Sequence, residues 1–126
     1  MANPNDVEFF DLIGVPFEYG ARGPNAYDCY GLLMEMYRRV GLNITDYGSS
    51  SHGATIIAMM LGRLREWKEI QPKPGAAILI KLPKSMHVGF LLPEKKFIHT
   101  SVITGGVTIE RLRMWTHRIK GYYEPL

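Results

Sequence analysis

The sequence predicts an α+β fold, helices first and a small antiparallel sheet second. Two observations carry this. Helical periodicity is confined to the part before Gln71-Pro72-Lys73-Pro74-Gly75, and after that break the apolar residues come in short runs separated by turn residues. A 46% apolar and 21% charged composition over 126 residues then supplies one core, and the chain reads as a single domain, 1–126.

A short first helix is expected from about Asp6 to Ile13, capped by Asn5 or Asp6, with Val7, Phe10, Leu12 and Ile13 apolar. Gly14 to Asn25 reads as an ordered loop. The clearest helix is Asp28 to Val40, where Leu32, Leu33, Met36, Tyr37 and Val40 recur at helical spacing and Gly41 provides a stop. A polar loop at Asp46 to Gly53 precedes a third helix, Ala54 to about Trp67, weakened by Gly62. The expected strands are Ala77–Ile80, Val88–Leu91, Lys96–His99 and Val107–Ile109. Leu112 to Tyr123 is ambiguous, with a closing strand around Gly121 to Tyr123. Arg38-Arg39 and the charges at Arg63, Arg65 and Lys68 read as solvated helix faces, and Trp67 and Trp115 as core anchors.

The formal charge is only +3 and no basic run exceeds two residues, which argues against a nucleic-acid partner. A mildly basic surface suits an anionic polymer such as a cell wall, though neutral substrates fit it equally well. One cysteine allows no internal disulfide and leaves the redox compartment open. Ile56–Leu61 and Ala76–Ile80 are too short to span a bilayer, so no membrane insertion is expected. The first residues lack the basic start and apolar run of a secretion signal, so the expectation is synthesis in the cytoplasm and delivery by another agent.

Cys29 falls in the first turn of the Asp28–Val40 helix, where unpaired N–H groups and the dipole stabilise an anion and lower a thiol's pKa. A lone cysteine is more often a small buried hydrophobe. His87 lies on a strand whose alternation turns it to the face opposite Met86, Val88 and Phe90, rigid enough to serve as a general base. His99 follows twelve residues later. A turn at Leu92–Lys96 returns it beside His87, where it can fix that ring's tautomer. Taken singly, each histidine could equally be packed or solvated. His52 and His117 read as exposed, and a zinc site from His52, His87, His99 and Cys29 lacks a close-spaced ligand pair, so neither metal nor cofactor is expected.

Taken together, these residues resemble the NlpC/P60 family of papain-like cysteine peptidases over Gly14 to about Ile109. The matching stretches are Pro16-Phe17-Glu18-Tyr19-Gly20-Ala21, Pro24-Asn25, Asp28-Cys29-Tyr30-Gly31-Leu32, Pro74-Gly75, His87-Val88-Gly89-Phe90 and Phe97-Ile98-His99-Thr100-Ser101. The resemblance implies Cys29 as nucleophile, His87 as base and acid, His99 as its orienting residue, and Tyr19, Phe17 and Asp28 on the substrate or oxyanion side. It implies hydrolysis of peptidoglycan stem peptides, commonly between D-γ-glutamyl and L-diaminopimelate or L-lysine. Tyr30 stands where secreted members usually carry serine. With Val107-Thr108-Ile109-Glu110-Arg111-Leu112, Trp115 and Gly121-Tyr122-Tyr123, it resembles the branch found in tailed-phage tail-tip proteins, which implies other tail proteins as partners and a place in a virion tail. The sequence departs from the family at Phe17, where many members have tyrosine, and at Gly75-Ala76, usually Gly-Asp. Two other readings stay open: a non-catalytic tail-tip subunit that kept the fold, and a related thiol amidase or acyltransferase.

Overall fold

The structure is a computed structural model, and it describes residues 3–47 and 66–126. Among these, one α-helix, α1 (Cys29–Arg39), packs on a six-stranded sheet of β1 (Trp67–Ile70), β2 (Ala77–Lys81), β3 (Met86–Leu92), β4 (Lys96–His99), β5 (Thr108–Arg111) and β6 (Ile119–Pro125). The spatial order is β1-β6-β2-β3-β4-β5. Every pairing is antiparallel. The α+β expectation holds.

α1 forms where the periodicity places it. Tyr30, Leu32, Leu33, Met36 and Tyr37 are buried along it, and its end is closed by Gly41 at φ +89 with the Leu42 N–H donating to the Tyr37 carbonyl. These side chains meet Val88, Phe90, Leu92, Ala77, Leu79 and Ile98 in the main core. The opposite face of the sheet carries a second cluster, Ala76, Ile78, Ile80, Leu91 and Phe97. The central strands are therefore covered on both sides, and β3 is buried along its whole length. Tyr37 ties the layers together, its hydroxyl donating to the Gly75 carbonyl at 2.7 Å.

Several expectations are corrected. The first helix is absent; two single 3-10 turns, Pro4–Asp6 and Phe10–Leu12, take its place. So short a segment cannot repay helix nucleation. It is held across α1 by Arg39, whose guanidinium donates to the Glu8 carbonyl and to both oxygens of Asp11. Arg39 also pairs with Glu35, so it is a tether rather than a merely solvated charge. Trp67 opens β1 instead of ending a helix: its ring is buried against Tyr37, and it lies opposite Pro125 where β1 pairs with β6. The remainder of the expected Ala54–Trp67 helix, most of the Asp46–Gly53 loop, His52, Arg63 and Arg65 lie outside the described residues. The fourth expected strand is shifted to Thr108–Arg111, because the Val107 N–H is taken by the Val15 carbonyl. The closing strand exists, but runs Ile119–Pro125 between β1 and β2.

Gly31 seats the cysteine-bearing end of α1. A Cβ there would lie 2.3 Å from the Ala21 carbonyl oxygen, a backbone atom that cannot swing aside. Alanine ordinarily favours a helix over glycine by about 1 kcal/mol, but overpacking against fixed backbone costs about 1–3 kcal/mol. Gly31→Ala is therefore expected to lower the urea midpoint rather than raise it. A raised midpoint would contradict the close approach.

Candidate active site

Asp28 caps α1. Its carboxylate accepts the Gly31 N–H at 2.6 Å and the Gly20 N–H at 3.1 Å, and pairs with Arg22 at 2.7 Å. Arg22 in turn reaches Asp46. The resemblance puts Asp28 on the substrate side; in the structure it is 4% exposed and its carboxylate is engaged by these three donors. The segment before it is held by backbone hydrogen bonds. The Glu18 N–H donates to Tyr27, Tyr27 to Pro16, and Asp28 to Ala21, while Gly14 and Phe17 donate to Val107 and Gly105 in the β4–β5 connection. The stretch following His99 is thereby bonded to the loop that leads into Cys29.

Cys29 is partly buried, at the first turn of α1. Backbone N–H groups of Val88, Tyr30 and Cys29 itself act on its thiol and favour the anion. They do not prevail. Burial, followed by the negative charge of Asp28, pushes the thiol up to about 12. The lowered pKa expected from the helix terminus is thus reversed, chiefly because the thiol is buried and further because the residue that caps the helix carries a carboxylate.

His87 directly precedes Val88, so the base candidate adjoins the backbone that touches the thiol. Its Nε2 lies 2.7 Å from His99 Nδ1. The other nitrogen of His99, Nε2, meets Glu110 Oε2 at 2.5 Å. This line follows from register. β3 and β4 pair Phe90 with Ile98, and β4 and β5 pair Phe97 with Glu110. His87, His99 and Glu110 then share one face, each two residues off its neighbour's directly opposed position, the diagonal spacing that long side chains bridge. Gly89 leaves the intervening place bare: a Cβ on it would lie 3.0 Å from the Phe97 ring and 3.5 Å from His99 Cβ. Trp115 closes the far side of His99 in an edge contact at 5.3 Å.

Glu110 was not singled out by sequence reasoning. Its place depends on the β4–β5 register, and the strand expected at Val107–Ile109 stopped one residue short of it. Of the other site candidates, Phe17 is half-buried, brings no hydroxyl, and spends its N–H on Gly105. Tyr19 stacks edge-on against it and is 58% exposed. Tyr27 is buried, its ring pressed on Gly23. His117 is exposed.

Burial, reinforced by the neighbouring His99, lowers His87 to about 3, and burial lowers His99 against the opposing pull of Glu110. The resting pair is therefore an uncharged thiol and an uncharged imidazole. A histidine that stays neutral when folded but takes a proton when unfolded costs stability as the pH falls from its unfolded value, near 6.5, toward its folded one. Each such group contributes a slope of up to about 1.4 kcal/mol per pH unit in that window. Denaturant unfolding at pH 7 and pH 5 is expected to show this loss, and His87→Gln to flatten it. An unchanged slope in the variant would mean that His87 is protonated in the fold.

The NlpC/P60 family model matches residues 14–124. The probable endopeptidase p60 of Listeria grayi is 24% identical over 101 residues, covering 79% of this chain and 18% of that protein, so the chain spans less than a fifth of its relative. Among solved structures, the NlpC/p60 domain of the peptidoglycan hydrolase SagA superposes with a TM-score of 0.67 at 20% identity, covering 98% of this chain and 99% of that one. NlpC1 from Trichomonas vaginalis gives 0.67 at 19%, over 94% of this chain and 41% of its own. The peptidoglycan hydrolase RipB from Mycobacterium tuberculosis gives 0.60 at 19%, over 90% and 58%. With a match across nearly all of its length and the same fold in these structures, the chain belongs to the NlpC/P60 family.

Proposed function

We propose that this chain is a thiol endopeptidase that hydrolyses peptidoglycan stem peptides at the D-γ-glutamyl–diaminopimelate bond, using Cys29, His87 and His99. The observation that carries the reading is the buried His87–His99 pair at 2.7 Å, with His87 next in sequence to Val88, whose backbone N–H acts on the thiol of Cys29 at a helix start. Membership in a family that includes a peptidoglycan hydrolase and a probable endopeptidase supports the substrate class. Tyr30 and the Val107–Tyr123 stretch support a role as a tail-tip component of a phage particle, brought to the wall with other tail proteins.

An uncharged pair dictates the order of events. His87 takes the thiol proton as Cys29 Sγ attacks the scissile carbonyl, so that charge develops only in the tetrahedral intermediate. The first-turn N–H of Cys29, which has no intrahelical acceptor, is the proposed oxyanion donor, and Tyr19 is the exposed hydroxyl-bearing residue of the neighbouring loop. The intermediate collapses as the C–N bond breaks and His87 returns the proton to the leaving amine. Water, deprotonated by His87, then cleaves the thioester and restores the thiol.

Mass spectrometry of diaminopimelate-type muropeptides incubated with the purified protein tests this. Wild type is expected to cut one stem-peptide bond, Cys29→Ala to cut none, and His99→Ala to lose less than Cys29→Ala. Turnover that survives in Cys29→Ala would end the thiol mechanism. An inert wild type whose thiol alkylates no faster than a free cysteine would favour the non-catalytic subunit.

A further inference from the structure

The hydrogen-bond line does not stop at His99. It continues to a carboxylate whose side chain is 34% exposed, on a third strand, and that end fixes how every proton along the line is placed. A carboxylate only accepts, so His99 Nε2 must carry the proton in the 2.5 Å contact. An uncharged His99 then has its lone pair on Nδ1. In the 2.7 Å contact the donor must be His87 Nε2–H. An uncharged His87 with its proton on Nε2 has its lone pair on Nδ1, the one ring nitrogen outside the chain of contacts. That is the atom able to receive a proton from a thiol.

Without the carboxylate the line can run backwards. His99 can hold its proton on Nδ1 and donate it to His87 Nε2, which moves the His87 proton to Nδ1 and removes the lone pair. Packing alone does not choose between the two directions. The edge contact of Trp115 on His99 and the Phe97 ring 4.7 Å from it hold the imidazole plane but are indifferent to which nitrogen is protonated. Glu110 breaks the symmetry.

We infer that Glu110 is a positioning residue: through His99 it sets His87 in the tautomer whose Nδ1 is free to act as the base. This rests on the proposed role of His87 as the general base of a thiol hydrolase, but the tautomer itself can be read without any turnover.

The test is nitrogen-15 NMR of the histidine side chains in wild type, Glu110→Gln and Glu110→Ala, paired with muropeptide kinetics. Glutamine keeps the shape but can donate as well as accept, so it no longer dictates a direction. Wild type is expected to show His87 and His99 each protonated on Nε2 alone. Both variants are expected to show proton density at His87 Nδ1, with kcat reduced at least about tenfold and KM near wild type, as when the carboxylate that sets a catalytic imidazole's tautomer is neutralised. A His87 tautomer identical in all three proteins would overturn the inference, whatever the kinetics. A tautomer shift in a wild-type background that cleaves no muropeptide would uphold Glu110 as the positioning residue and sink the hydrolase reading instead.

Discussion

The register of three neighbouring strands is the constraint on which the site depends. Phe90 opposite Ile98 and Phe97 opposite Glu110 bring His87, His99 and Glu110 into one diagonal on one face. Because side chains alternate with a period of two, a slip of one residue in either pairing would send a member of the line to the α1 side of the sheet. The register is held by burial on both faces. Val88, Phe90 and Ile98 must face the main core, and Leu91 and Phe97 the second cluster, so any slip exposes or misplaces several large side chains at once. The geometry of the proposed site is in this sense a by-product of a sheet that cannot move without losing its core.

The helix end is positioned separately, and its electrostatics carry a conflict. Asp28 satisfies two backbone N–H groups and the Arg22 guanidinium, contacts that define how α1 begins. The same carboxylate opposes a thiolate at Cys29, and burial opposes it more strongly. A helix terminus alone would have argued for a pre-formed anion. The balance of effects argues instead for an uncharged resting pair and for a base with a defined lone pair, which raises the importance of the His99–Glu110 contact.

Much of this was legible in the sequence where local rules decide the outcome. The α1 boundaries follow from the cap at Asp28, the periodicity to Val40 and the stop at Gly41, and the β2, β3 and β4 runs are bounded by Pro, Gly and charged residues. The pairing of His87 with His99 was foreseeable because a short turn leaves few registers open. Where distant contacts decide, the sequence was silent or misleading. The residues before Gly14 have helical spacing but are pulled across α1 by Arg39. Trp67 looks like the end of an apolar helix face until β6 offers it a partner. Glu110 lies just past the strand expected at Val107–Ile109, and only the β4–β5 register turns it toward His99. The thiol's environment was the largest surprise: burial and a neighbouring charge cannot be weighed from motif spacing.

The most direct measurement is rapid-quench intact-protein mass spectrometry of the protein mixed with a muropeptide, followed by peptide mapping. A covalent acyl-enzyme is the defining intermediate of the proposed chemistry, and it carries the glutamyl side of the substrate on one residue only. The expected result is a transient mass increase equal to that acyl fragment, mapped to the peptide containing Cys29 and absent from Cys29→Ala. Cleavage with no adduct on Cys29, or with the adduct on another residue, would contradict the thiol mechanism at its first step.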